Sequence, residues 1–229
     1  MMDGVDQSLV SIDVIALRFG NPEPGMLRFA VTPRQAEPYT GQLALPGVLL
    51  GAGERLQDAA RRAVTTKLGI PDEKILVSGQ LTVFDEPNRD PRGPTLSVTM
   101  WAVISSDEVP GSAEWVSWDN PGDLAFDHNR IVADTRPILA DTLLWRDQAF
   151  TRALLGPSFP ASYALAVAEE LSGVRPDPGN LNRTLKALPG LERTDERVRV
   201  SATGRPAVEV AGAVGADDDD VFNFGGHKE

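Results

Sequence analysis

The side chains of this 229-residue chain that could do chemistry are carboxylates and arginines, because it has no cysteine and only two histidines, His128 and His227. A thiolate zinc site, a cysteine nucleophile, a disulfide framework and a histidine-rich metal site are all excluded by that inventory. Glu54 and Arg62 stand eight residues apart across the start of a helical pattern. The pair suits either an ion pair that shapes the preceding loop or a remnant of catalysis. Arg89 and Arg92 lie in a Pro/Gly-rich stretch, Phe84-Asp85-Glu86-Pro87-Asn88-Arg89-Asp90-Pro91-Arg92-Gly93-Pro94. Arginines in such a loop suit pyrophosphate contacts through their planar fork of donors, and a solvated surface loop is the alternative. Asp127, just before an apolar helical run, reads as an N-cap, and His128 as a packed or surface histidine in the first turn.

Those residues need elements to hold them. Alternating and β-branched runs at Val10 to Phe19, Met26 to Val31, Ile75 to Val83 and Thr95 to Ile104 predict strands. Leu56, Ala59, Ala60, Ala63, Val64 and Leu68 recur at helical spacing, and Gly69 supplies the left-handed stop. A second helix is expected from about Asp127 to Arg146, kinked at Pro137. After Trp145 the pattern changes. Tyr163, Ala164, Val167, Ala168 and Leu171 make one helical stripe ending near Gly173. Asp177-Pro178, an N-cap followed by proline at the first helical position, opens another helix with Leu181, Leu185 and Leu188 on one face. Val198 to Val200 and Ala207 to Val210 alternate like a small hairpin. The expected organisation is a domain over 1–147, a second over 148–212, and a mobile acidic tail over 213–229 that contains Asp217 to Asp220.

Charge is unevenly spread along this order. Residues 1–147 hold 13 basic and 21 acidic side chains, 148–212 hold 8 and 7, and 213–229 hold 1 and 5, within an overall net charge of −11. Phosphate contacts respond to the local field within a Debye length of about 8 Å, so the overall acidity does not exclude nucleic acid. No run of about 18 apolar residues exists, and Met1 to Gln7 carries two Asp without Lys or Arg, unlike a signal peptide. A soluble, cytoplasmic protein with no membrane contact is the expectation.

Residues 48 to 70 resemble the Nudix box, G-x5-E-x7-R-E-U-x-E-E-x-G-U, without a gap. Glu54, Arg62, Val64, Gly69 and Ile70 match it, while Val48 replaces the opening glycine and Ala63, Thr66 and Lys67 replace the three helix glutamates. The resemblance implies that those glutamates would hold divalent cations, hard ions that take oxygen ligands and activate water. Their loss implies a protein that is not an enzyme, with no catalytic residues, no metal and no cofactor. Glu54, Glu73, Asp85 and Glu86 could in principle supply replacement ligands, which keeps a divergent hydrolase of ADP-ribose-like pyrophosphates as the alternative. The D-P-R-G segment at Asp90 to Gly93 and the A-F-D-H segment at Ala125 to His128 are similar to the ADP-ribose-type branch.

A Nudix-like αβα sandwich followed by a small winged helix-turn-helix domain resembles the Nudix-related transcriptional regulators of NAD metabolism. Leu154-Leu155-Gly156-Pro157-Ser158-Phe159-Pro160, the run Asn180 to Leu188 and Gly204-Arg205-Pro206-Ala207 carry that second part of the likeness. With the leucines facing inward, Asn180, Asn182, Arg183, Thr184 and Lys186 are left for a major groove, and Arg197, Arg199 and Arg205 for phosphates or the minor groove. The resemblance implies a homodimeric repressor on double-stranded operator DNA. It also implies an NAD-derived effector, ADP-ribose or a relative, bound among Arg34, Glu54, Arg89 and Arg92.

Overall fold

Residues 8–20, 26–107, 111–199 and 218–224 are described by the computed structural model of the protein. They form two compact units, Met1–Leu17 with Arg28–Thr135, and Arg18–Leu27 with Arg136–Glu229. The division falls at Thr135/Arg136 instead of the expected 147/148. Its cause is local: the Arg136 guanidinium donates to the Glu170 carbonyl, and the Phe19 ring stands edge-on to Tyr163 at 5.1 Å.

The first unit is built on a seven-stranded mixed sheet. Its strands are β1 (Leu9–Phe19), β2 (Leu27–Pro33), β3 (Leu43–Ala44), β4 (Gly47–Leu49), β5 (Ile75–Phe84), β6 (Thr95–Ile104) and β7 (Glu114–Val116), in the order β3-β2-β1-β6-β5 with β4 on β1 and β7 on β2. β1 and β6 run parallel with Ile12 opposite Val98 and Val14 opposite Met100, whereas β5 returns antiparallel to β6. Helix α1 (Leu56–Leu68) ends where Gly69 adopts φ 69° and ψ 17°, as its sequence predicts. Its Ala59, Ala60, Ala63, Val64 and Leu68 join Ile12, Val14, Ala16, Met100 and Ala102 in one buried cluster. Each large aliphatic so buried contributes about 1.5–3 kcal/mol. Because strand side chains alternate, Ser11, Asp13, Ile15 and Leu17 point to the other face of β1. That alternation sets Ser11 and Asp13 where a site can use them.

Helix α2 (His128–Ile138) is shorter than the helix expected over 127–146. Pro137 lies inside it, and Leu139–Leu143 form a π-helical turn instead of continuing it. Proline brings no N–H for the bond four residues back, so the regular ladder cannot pass that point.

In the second unit, α3 (Gln148–Leu155) is capped by Asp147, whose carboxylate accepts from the Phe150 amide at 3.0 Å. β8 (Ser158–Pro160) follows, then α4 (Ala161–Ser172), which ends at Gly173 with φ 71°. α5 (Pro178–Ala187) opens on the predicted Asp177 cap, which accepts from the Asn180 amide at 2.8 Å. Leu181 and Leu185 are buried, while Leu188 terminates the helix and lies outside it. The hairpin differs from expectation. β9 (Leu191–Arg199) pairs antiparallel with β10 (Asp218–Phe224), and β10 also pairs with β8. The expected partner, Ala207 to Val210, lies outside the described residues, as does Arg205. Part of the segment read as an acidic tail is therefore a sheet strand. Val221 and Phe222 explain it, since they follow the aspartates and are 4% and 0% exposed against Phe159 and its neighbours.

Candidate functional site

An open cleft of about 500 Å³ is cut into the first unit, lined from β1, β2, β4, the end of α1 and the loops after β5 and β7. It brings together Arg34, Arg89 and Arg92, three of the four residues expected to bind an effector, with Asp13, Lys67, Phe126 and His128. Glu54 is not among the lining residues. Its carboxylate accepts from Arg62 Nε and Nη2, both at 2.7 Å, and from the Gly51 amide at 2.7 Å. The Arg62 hydrogen bonds, then the Gly51 amide, hold the Glu54 pKa down at about 2. Glu54 and Arg62 thus brace the loop before α1.

The cleft floor is a closed polar network. The Arg89 side chain is 4% exposed and gives Nε and Nη2 to the two Asp127 oxygens at 3.0 and 2.8 Å, Nη2 also to Asp13 Oδ2 at 3.3 Å, and Nη1 to Ser11 Oγ at 3.2 Å. Asp127, expected as an N-cap, spends both carboxylate oxygens on Arg89. Asp13 Oδ2 accepts further from Ser97 Oγ at 2.6 Å and Ser11 Oγ at 3.1 Å. A Cβ on Gly47 would come within 2.5 Å of Asp13 Oδ1, so glycine in β4 is what lets this carboxylate sit there. His128 is buried, and its Nδ1 accepts from the Leu45 amide at 3.0 Å, which leaves the proton on Nε2, 3.7 Å from Asp13 Oδ1. Burial lowers its pKa against the opposing pull of Asp13 and Asp127, and the ring stays neutral.

The cleft wall is different in kind. Phe126, held at φ 57°, carries the Arg34 guanidinium 4.4 Å from its ring centre and that of Arg92 at 5.6 Å, with Tyr39 edge-on at 4.9 Å. Arg34 donates to the carbonyls of Pro38 and Ala36, and burial followed by the Arg92 charge lowers its pKa, without discharging a guanidinium. Arg92 is half exposed and forks onto Asp90 at 2.6 to 3.3 Å. A planar aromatic beside guanidinium groups suits a nucleobase or ribose next to phosphate. Sequence reasoning missed Asp13 and Phe126. The signal for Asp13 was a lone carboxylate inside an apolar strand, which has to be paired when buried.

No family model matches the chain. The MutT/nudix family protein from Enterococcus faecalis matches its structure with a TM-score of 0.69 over 98% of this chain and 89% of that one, at 18% identity. The chain has a Nudix fold. NrtR from Shewanella oneidensis, solved with a 27mer DNA, is similar over 94% of this chain and 93% of its own, with a TM-score of 0.69 and 18% identity. The NUDIX domain of that NrtR, solved with ADP ribose, is similar over 61% of this chain and 93% of its own, with a TM-score of 0.52 and 20% identity. The ADP-ribose pyrophosphatase of Methanocaldococcus jannaschii is 34% identical over 107 residues, 44% of this chain. The chain spans 61% of the length of that curated relative.

The Nudix fold implies a divalent cation on α1, and the residues present do not fit one. Ala63 is fully buried, Thr66 gives its hydroxyl to the Arg62 carbonyl at 2.6 Å, and Lys67 brings a positive charge. No three His, Cys, Asp or Glu side chains among the described residues are placed to hold a metal. In the second unit Asn180, Arg183, Thr184 and Lys186 are exposed and Asn182 is half-buried on α5. Arg183 donates to Asn180 Oδ1 at 2.5 Å. Arg197 and Arg199 are placed on β9 opposite Asp220 and Asp218. No helix among the described residues is long and apolar enough to cross a membrane.

Proposed function

We propose that the protein is a DNA-binding transcriptional repressor of NAD synthesis or salvage genes that senses ADP-ribose, or a related NAD metabolite, through its Nudix unit and does not hydrolyse it. The observation that carries the reading is the division of α5 into a buried edge, Leu181 and Leu185, and an exposed edge, Asn180, Arg183, Thr184 and Lys186. The order α3-β8-α4-α5-β9-β10 supports a winged helix-turn-helix reading, in which α5 is the helix offered to a major groove and β9–β10 the wing. Amides and an arginine on such a helix match base edges, and a lysine suits phosphate. The likeness to the DNA-bound NrtR supports this half of the reading.

For the sensing half, the support is a cleft that joins an aromatic ring to several cations, together with the likeness to a NUDIX domain solved with ADP ribose. A cytoplasmic homodimer on a two-fold operator, with half-sites about 34–36 Å apart or a multiple of that, completes the proposal. An effector alters DNA binding only by favouring one arrangement of the protein over another.

The test is fluorescence anisotropy on promoter duplexes from the organism's own NAD-biosynthesis genes, against scrambled duplex, at about 150 mM salt with and without ADP-ribose. Tight, sequence-specific binding that ADP-ribose changes is the expected result. Equal, weak binding to both duplexes removes the repressor reading. The relative named as an ADP-ribose pyrophosphatase favours a second reading, a divergent hydrolase. Mg²⁺-dependent turnover of ADP-ribose by the purified protein would establish that one instead.

A further inference from the structure

The cations of the cleft are not equivalent. Arg89 is held by Asp127 and Asp13, and Arg92 by Asp90. Arg34 gives Nε and Nη2 to two backbone carbonyls. Lys67, exposed in the last turn of α1, has no carboxylate or other acceptor among the described residues. The C-terminal end of a helix favours the positive charge of a lysine in its last turn.

The neighbouring loop is fastened to the same turn. The Ser112 amide donates to the Leu68 carbonyl at 3.0 Å, and Gly111, at φ 143°, lies so near that a Cβ there would fall 2.2 Å from that carbonyl oxygen. Only glycine permits this approach, and it sets Ser112 beside Thr66 and Lys67 at one side of the cleft. An ammonium and a serine that line the same side of the cleft suit an anion, and the ammonium would repel a divalent cation.

We infer that Lys67 takes over the task that a divalent cation performs elsewhere in this fold: it is the fixed counter-charge for the diphosphate of the bound metabolite, and the ligand is held without metal. The inference rests on the proposed reading of the cleft as a site for ADP-ribose or a relative. It adds the reason why binding and hydrolysis part company here, since a lysine neutralises phosphate charge without generating a metal-bound nucleophile.

Isothermal titration of the full chain with ADP-ribose, once in excess EDTA and once with millimolar Mg²⁺, tests it. The expected result is the same Kd in both buffers, at least about tenfold weaker binding for Lys67→Ala in both, and near-complete retention for Lys67→Arg. Melting temperatures should be unchanged, because the side chain is exposed. Binding that requires Mg²⁺, or a Lys67→Ala variant that binds like the wild type, would overturn the inference and leave the sensing role standing. A wild-type protein that binds ADP-ribose in neither buffer would overturn both.

Discussion

At the scale of single residues, the cleft separates arginines that hold the fold from arginines that can meet a ligand. Arg89 is buried against two carboxylates, and removing it would leave Asp13 and Asp127 charged and unpaired. Arg89→Ala is therefore expected to lower stability by about 3–5 kcal/mol, read from urea denaturation. Arg92 is half exposed and pairs with a carboxylate two residues away, so Arg92→Ala should change stability by less than about 1 kcal/mol while weakening ADP-ribose binding. The Glu54 carboxyl gives a pH signature. Its pKa falls from 4.5 to about 2 on folding, chiefly through Arg62, so its contribution is complete above about pH 4.5 and is lost as pH falls toward 2. The stability difference between wild type and Glu54→Gln should shrink over that window. A difference independent of pH would show that the Arg62 contact does not matter in solution. His128 works in the opposite sense from a salt-bridged histidine: burial depresses its pKa, so protonation of the unfolded chain erodes stability as pH drops below 6.5.

At the scale of elements, β4 is fitted to β1 by one missing side chain. A methyl on Gly47 would meet the Asp13 carboxylate, on which Ser11, Ser97 and Arg89 converge. Gly47→Ala should cost about 1–3 kcal/mol, and the cost should fall in an Asp13→Ala background, a coupling that a double-mutant cycle measures. Elements of this kind were the hardest to read in the sequence. α1 and its Gly69 stop, the four long strands and the Asp177 cap of α5 were legible because periodicity or capping chemistry runs over several residues. β3, β4, β7 and β8 are two or three residues long, too short for alternation to show. β10 was hidden by composition: four aspartates in a row read as solvated tail, while the two buried residues behind them, Val221 and Phe222, decide the pairing. Of the candidate site, the arginines were legible and the network was not, because Asp13, Arg89 and Asp127 are neighbours only across the sheet. Phe222→Ala is expected to lower the stability of the second unit by about 3–5 kcal/mol, visible as earlier loss of that unit's amide protection in hydrogen exchange.

At the scale of the whole molecule, a net charge of −11 opposes association with DNA, so any grip has to come from cations concentrated on one element. Among the described residues Arg193 is already committed to Asp220 at 2.8 Å, which leaves Arg183 and Lys186 on α5 as the exposed basic groups of that helix. The two should behave differently. Arg183, linked to Asn180 in a fork of donors and an amide, is suited to a base edge, where its loss costs about 1–3 kcal/mol and relaxes preference for the operator over scrambled duplex. Lys186 is suited to a phosphate, so Lys186→Ala should weaken binding to both duplexes alike and flatten the slope of log K against log salt by about 1 per subunit bound. Anisotropy titrations of the two variants at several salt concentrations separate these outcomes. If both variants lose affinity uniformly across sequences, α5 holds only the backbone, and the sequence is read elsewhere on the protein. If neither loses any, the exposed edge of α5 is not a DNA surface, and the acidity of the chain has the meaning it has in most proteins, which is solubility.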